Sequence, residues 1–77
     1  MDLIVFGRQI RRQRRKYGLR QAEVAALAGV GTRFVSELEN GKPSLEIGRA
    51  LRVAMIVGLT VNVEPTSWVS FGATHDR

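Results

Sequence analysis

The sequence predicts an all-α domain, compact and built of four to five short helices, with one short strand at its C-terminal edge. Three observations predict it. Apolar residues recur at helical spacing from Leu3 as far as Ile56. Turn residues interrupt that pattern at Gly18, at Gly29 and at Asn40-Gly41-Lys42-Pro43, cutting it into pieces of helical length. After Gly58 the period drops from helical to two.

The first piece, residues 3 to 17, sets Leu3, Phe6, Ile10 and Tyr17 near one face of a helix, with the arginines largely on others. Gly18 can adopt the left-handed backbone that ends a helix, and Leu19 is expected to turn inward as the next begins. The second helix starts near Gln21. Arg20 stands at its N-cap, where Ser, Thr or Asp would accept a backbone N–H, so the sequence predicts a missing cap at a cost of about 1 kcal/mol. A cation at the positive end of the helix dipole adds to that cost. A DNA phosphate docked there would offset it, bonded by Gln21 and the free amides and neutralised by Arg20.

Two short apolar patterns meet at Gly29 within QAEVAALAGVGTRFVSELEN, residues 21–40: Val24, Ala25, Leu27 and Ala28 before it, Val30, Phe34, Val35 and Leu38 after it. Ala25 is small, as a steep crossing of two helices requires, and Gly29 supplies the positive φ of a tight turn. With Val35 and Leu38 at the following inward positions, the spacing is that of a helix-turn-helix.

The third helix begins around Gly31 and is expected to run to Asn40. Its outward N-terminal half carries Thr32, Arg33, Ser36 and Glu37, where a recognition helix presents side chains to base edges. Arg33 can bind guanine O6 and N7 together, Thr32 and Ser36 can donate or accept, and Glu37 can accept from cytosine N4. Phe34 either touches a thymine methyl or packs at the rim of the second helix. Asn40 and Lys42 are placed to reach a phosphate from the far side.

Ser44 is expected to cap the fourth helix, with Glu46 in its first turn and Leu45, Leu51, Ala54, Met55 and Ile56 on its apolar side. Beyond Gly58, Val61 and Val63 alternate with Thr60, Asn62 and Glu64 until Pro65 stops the run. A strand over 60–64 has no partner in this chain. It is expected to pair with its own copy, with Leu59, Val61 and Val63 at a homodimer interface. Residues 65–77 show no period and are expected to form a flexible tail, in which Trp68 and Phe71 either dock a partner or fold back on the domain.

A chain of 77 residues makes one domain, here 1–64, with a core small enough that dimerisation is expected to support it. The absence of cysteine excludes disulfides, and the one histidine, His75, leaves no ordinary zinc set, so no metal or cofactor is expected. No nucleophile stands with a base, which argues against an enzyme. No apolar run approaches the about 20 residues that span a bilayer, and the N-terminus lacks the order of a signal peptide. A soluble cytoplasmic protein without membrane contact is expected. The net charge of +5 is uneven: residues 1–20 hold seven of the twelve basic side chains against one acidic. That is the footprint expected on a polyanion, the alternative being a solvated charged face.

GLRQAEVAALAGVGTRFVSELENGKPS closely resembles the helix-turn-helix of the Xre/Cro repressor superfamily, whose domains are lambda-repressor-like. TRFVSELENGKP, followed by an amphipathic helix and GLTVNVEP, resembles HipB-type antitoxins. The resemblance spans about residues 4 to 64. It implies phosphate contacts by Gln21 and Asn40, base reading by Thr32, Arg33, Ser36 and Glu37, and a structural salt bridge between Arg14 and Glu39. It further implies an operator-binding, nucleoid-associated dimer that represses transcription and neutralises a HipA-like serine/threonine kinase toxin. Gln13 and Gly48 depart from the family, which usually has larger apolar residues there, so a thinner core is expected around the first and fourth helices.

Overall fold

The computed structural model describes residues 2–43 and 46–62, and among them the chain forms four α-helices and no strand. They are α1 (Leu3–Lys16), α2 (Gln21–Ala28), α3 (Thr32–Glu39) and α4 (Ile47–Ile56). Asp2 caps α1, its carboxylate accepting the N–H groups of Ile4 at 2.9 Å and Val5 at 3.4 Å. Gly29 closes α2 in the left-handed region, at φ 70° and ψ 35°. From there Val30 donates its N–H back to the Ala25 carbonyl at 2.9 Å, which turns the chain into α3. α3 ends one residue earlier than the sequence predicts, with Asn40 as its C-cap.

The core lies where the helices converge: α3 packs on α1 and α2, and α2 packs on α4. Ile10, Val24, Val35, Val53 and Val57 are wholly buried, and Ala25, Ala28, Leu38, Ala50 and Ala54 fill the spaces between them. Phe6, Leu19, Val30, Phe34 and Leu59 cover the edges of this cluster. Ala25 does at the α2–α3 crossing what its size suggested. A second close approach has no signal in the sequence. Gly7 is buried against the end of α3, where a Cβ would come within 2.7 Å of the Glu39 carbonyl oxygen and closer still to that of Leu38.

Several apolar residues expected to face inward do not. Tyr17 is 56% exposed because α1 ends before it, and Leu27 is 63% exposed because α2 buries Val24, Ala25 and Ala28 instead. On α4 the buried stripe is Ala50, Val53 and Ala54, continued by Val57, whereas Met55 is 71% exposed and Ile56 lies at the edge. Glu46 is the N-cap of that helix rather than part of its first turn, and Ser44 and Leu45 lie outside the described residues.

Of the two positions expected to thin the core, one bridges two helices and the other is exposed. Gln13 donates its side-chain N–H to the Val57 carbonyl at 3.1 Å, stitching α1 to the end of α4, and Gly48 is on the surface with open space around it. Leu59 is half-buried against its own core, its N–H bonded to the Ala54 carbonyl at 2.9 Å, while Thr60, Val61 and Asn62 are exposed. The remainder of the strand expected over 60–64, including Val63, lies outside the described residues, as does the tail with Trp68, Phe71 and His75.

Candidate nucleic-acid interface

With Val35 and Leu38 turned into the core, helical geometry leaves Thr32, Arg33, Ser36, Glu37 and Asn40 on the opposite side of α3. Glu37 is the centre of this face. Its Oε2 accepts from Lys42 Nζ at 3.1 Å and from Arg33 Nε at 3.3 Å, so one anion holds two of the three cations expected to contact DNA. The hydrogen bond from Lys42, more than that from Arg33, holds the Glu37 carboxyl below the usual carboxylate range. Pairs this open to water are worth little, and a nucleic acid can exchange them for its own contacts. Asn40 donates its side-chain amide to the Ser36 carbonyl at 2.9 Å, closing the last turn of the helix.

Behind this face a buried network fixes its position. Arg14 Nε meets Glu39 Oε2 at 2.5 Å and Arg14 Nη2 meets Oε1 at 3.0 Å, a two-pronged pair almost removed from water. The third nitrogen, Nη1, donates to the Leu19 carbonyl at 2.8 Å. Gln21 Nε2 donates to Glu39 Oε1 at 3.0 Å. One carboxylate therefore ties α1, the start of α2 and the end of α3 together, and its hydrogen bond is the main reason the Arg14 pKa is raised. The pair implied by the resemblance is present. Gln21, assigned by the same resemblance to a phosphate, has one amide hydrogen committed to Glu39 and keeps its oxygen and second N–H for other partners.

The start of α2 differs from what Arg20 led the sequence to predict. Arg20 does not cap with its side chain, since a guanidinium has no acceptor. Glu23 supplies the reciprocal half of a capping box: its Oε1 accepts the Arg20 N–H at 2.7 Å and lies 3.5 Å from the Arg20 guanidinium. That backbone hydrogen bond is the largest cause of a lowered Glu23 pKa. The missing-cap penalty is accordingly smaller than expected, although the first N–H groups of α2 still have no carbonyl acceptor within the helix.

Three structural contacts had unequal signals in the sequence. Asp2 before an apolar run and Glu23 three residues after an N-cap are both readable capping patterns. Arg52 Nε donating to the Ala28 carbonyl at 3.1 Å, which closes α2 from α4, joins residues whose separation no local rule covers. Among the described residues no group of acidic and histidine side chains could hold a metal, and no helix is long and apolar enough to cross a membrane.

An exposed polar face on the second helix of a tight helix pair defines a helix-turn-helix protein. Residues 5–64 match the helix-turn-helix domain family, and the chain belongs to it. It is similar to an uncharacterized HTH-type transcriptional regulator, y4mF, of Sinorhizobium fredii (strain NBRC 101917 / NGR234), with 42% identity over 57 residues covering 74% of this chain and 75% of the relative. It is also similar to the crystal structure of the restriction-modification controller protein C.AhdI from Aeromonas hydrophila, at a TM-score of 0.67 and 29% identity, covering 77% of this chain and 86% of that one.

Proposed function

We propose that the protein is a transcriptional regulator that binds operator DNA as a homodimer, reading bases with α3. The observation that carries this reading is the outward face of α3, polar, exposed at Thr32, Arg33 and Asn40 and half-exposed at Ser36 and Glu37, held from behind by the Arg14–Glu39–Gln21 network. Thr32, Arg33, Ser36 and Glu37 meet base edges, and Arg20, Gln21, Asn40 and Lys42 meet phosphates on either side. The similarity to a transcriptional regulator and to a restriction-modification controller supports the same reading. Such a protein acts in the cytoplasm, where the DNA is.

An apolar surface suited to a dimer is present. Leu3, Phe6, Ile47, Leu51 and Val61 line an apolar groove of about 160 Å³ between the start of α1 and α4, and a second copy would cover it. Twin α3 helices would then enter successive major grooves about 34 Å apart. Selection of duplexes from a random pool by the purified protein tests the whole reading. An enriched inverted repeat of that spacing is expected, and failure to enrich any duplex would contradict it.

The antitoxin role is a finer reading, supported by the resemblance of GLTVNVEP to HipB-type proteins. Its partner would be a HipA-like kinase, with Trp68 and Phe71 as contacts. A nuclease-treated pull-down from the native cell decides it: a stoichiometric kinase-like protein is expected, and recovery of this chain alone would exclude it.

A further inference from the structure

The outer face of α1 is not used by the function proposed above. Arg8, Arg11, Arg12 and Arg15 are all exposed, and their spacing of three, one and three residues places them in a single stripe lining one shallow depression. Every carboxylate among the described residues is engaged elsewhere. Asp2 caps α1, Glu23 pairs with Arg20, Glu37 with Arg33 and Lys42, Glu39 with Arg14, and Glu46 with Arg49. Among the described residues the stripe therefore has no compensating anion, and like charges three and four apart on a helix oppose its stability. Local structure does not explain four arginines here.

The position of the stripe indicates its ligand. Arg14 lies between Arg11 and Arg15 in sequence and is turned inward to Glu39, which holds Gln21 at the first turn of α2. The stripe ends at Arg15, five residues before Arg20 at the N-cap of α2, and runs back along α1 to Arg8. From Arg8 to Arg15 the helix advances about 10 Å, roughly the axial rise of three phosphates on one strand. Ile10, the apolar residue between the arginines, is buried in the core, and the exposed Ile4 and Val5 lie a turn before Arg8, so the stripe itself offers a partner charge alone. Guanidinium groups are suited to phosphate oxygens and carry no base information.

We propose that Arg8, Arg11, Arg12 and Arg15 bind the phosphate backbone of the duplex flanking the half-site, lengthening the footprint without adding sequence preference. This rests on the operator-binding reading above. The test uses the full chain and a duplex selected by it from a random pool, in two lengths: the selected site alone, and the same site with about one helical turn of random flank on each side. Binding is measured across salt concentrations for the unmodified protein, for a variant with all four arginines changed to Gln, and for one with all four changed to Lys.

On the long duplex the Gln variant is expected to bind about tenfold more weakly and to show a shallower salt slope, by roughly 0.9 for each phosphate that is no longer neutralised. The Lys variant is expected to keep most of the slope, and the Gln variant should match the unmodified protein on the short duplex. Equal behaviour of Gln variant and unmodified protein on both lengths overturns the proposal, as does an equal loss on both. Failure to select any duplex would instead remove the operator-binding reading, and this inference with it. Matching thermal melts of the three proteins show that the comparison concerns binding rather than folding.

Discussion

Glu39 does more for this fold than any other polar residue. Its carboxylate is buried, and it accepts from Arg14 twice and from Gln21 once. Removing one member of such a pair strands a charge in the interior, so Glu39→Ala is expected to cost about 3 to 5 kcal/mol by denaturant unfolding. For a domain this small that is a large share of the total stability. Replacing Arg14 and Glu39 together by apolar residues should cost much less than the sum of the single changes, and simple additivity would show that the pair is not coupled.

Two glycines make an opposing pair of predictions. A methyl on Gly7 would strike the backbone carbonyls of Leu38 and Glu39, so Gly7→Ala should destabilise by about 1 to 3 kcal/mol despite the better helix propensity of alanine. Gly48 is helical and open to solvent, so Gly48→Ala should stabilise by about 0.5 to 1 kcal/mol. Thermal melts distinguish the two signs. The Arg14–Glu39 pair was legible only through resemblance, because nothing local links residues this far apart. The close approach at Gly7 was not legible at all, since it depends on where α1 lands on α3.

At the scale of elements, helix positions were largely readable and the inward faces only in part: Ile10 on α1 and Ala54 on α4 are buried as expected, whereas Leu27 on α2 and Met55 on α4 are not. Periodicity marks a helix, but which of several apolar residues turns inward depends on its neighbours, and here small residues won. Ala50, Val53 and Ala54 let α4 approach closely, which leaves Met55 outside. At the N-terminus of α2 the informative residue is Glu23 rather than Arg20, since the Glu23 carboxylate is the effective cap.

The cap on α2 gives a pH prediction. Folding lowers the Glu23 pKa, so the stabilisation it brings is fully present above the unfolded value of 4.5 and is lost as pH falls through the lower folded value. Glu23→Gln should therefore remove part of the acid destabilisation, seen as a shallower fall of unfolding midpoint with decreasing pH. An unchanged acid limb would mean that the cap does not form.

For the whole molecule, a helix-turn-helix could be read from Ala25, Gly29, Val35 and Leu38 because its constraints are local and steric. The pairing of Glu37 with Lys42 could not be read, because it forms only after the chain turns at Gly41. That pairing gathers Arg33 and Lys42 around one anion. In the proposed reading their roles differ, Arg33 on the helix meeting bases and Lys42 in the loop beyond it meeting phosphates. Lys42→Ala is expected to weaken binding about equally for all sequences and to lower the salt slope by about 1, read by titration on selected and scrambled duplexes.

Base reading by α3 is most directly tested by repeating duplex selection with Arg33→Ala beside the unmodified protein. Loss of preference at one base pair in each half-site, at a cost of about 1 to 3 kcal/mol, is the expected result. An Arg33→Ala protein that selects the same sequence with the same stringency would contradict the assignment of α3 as the reading helix.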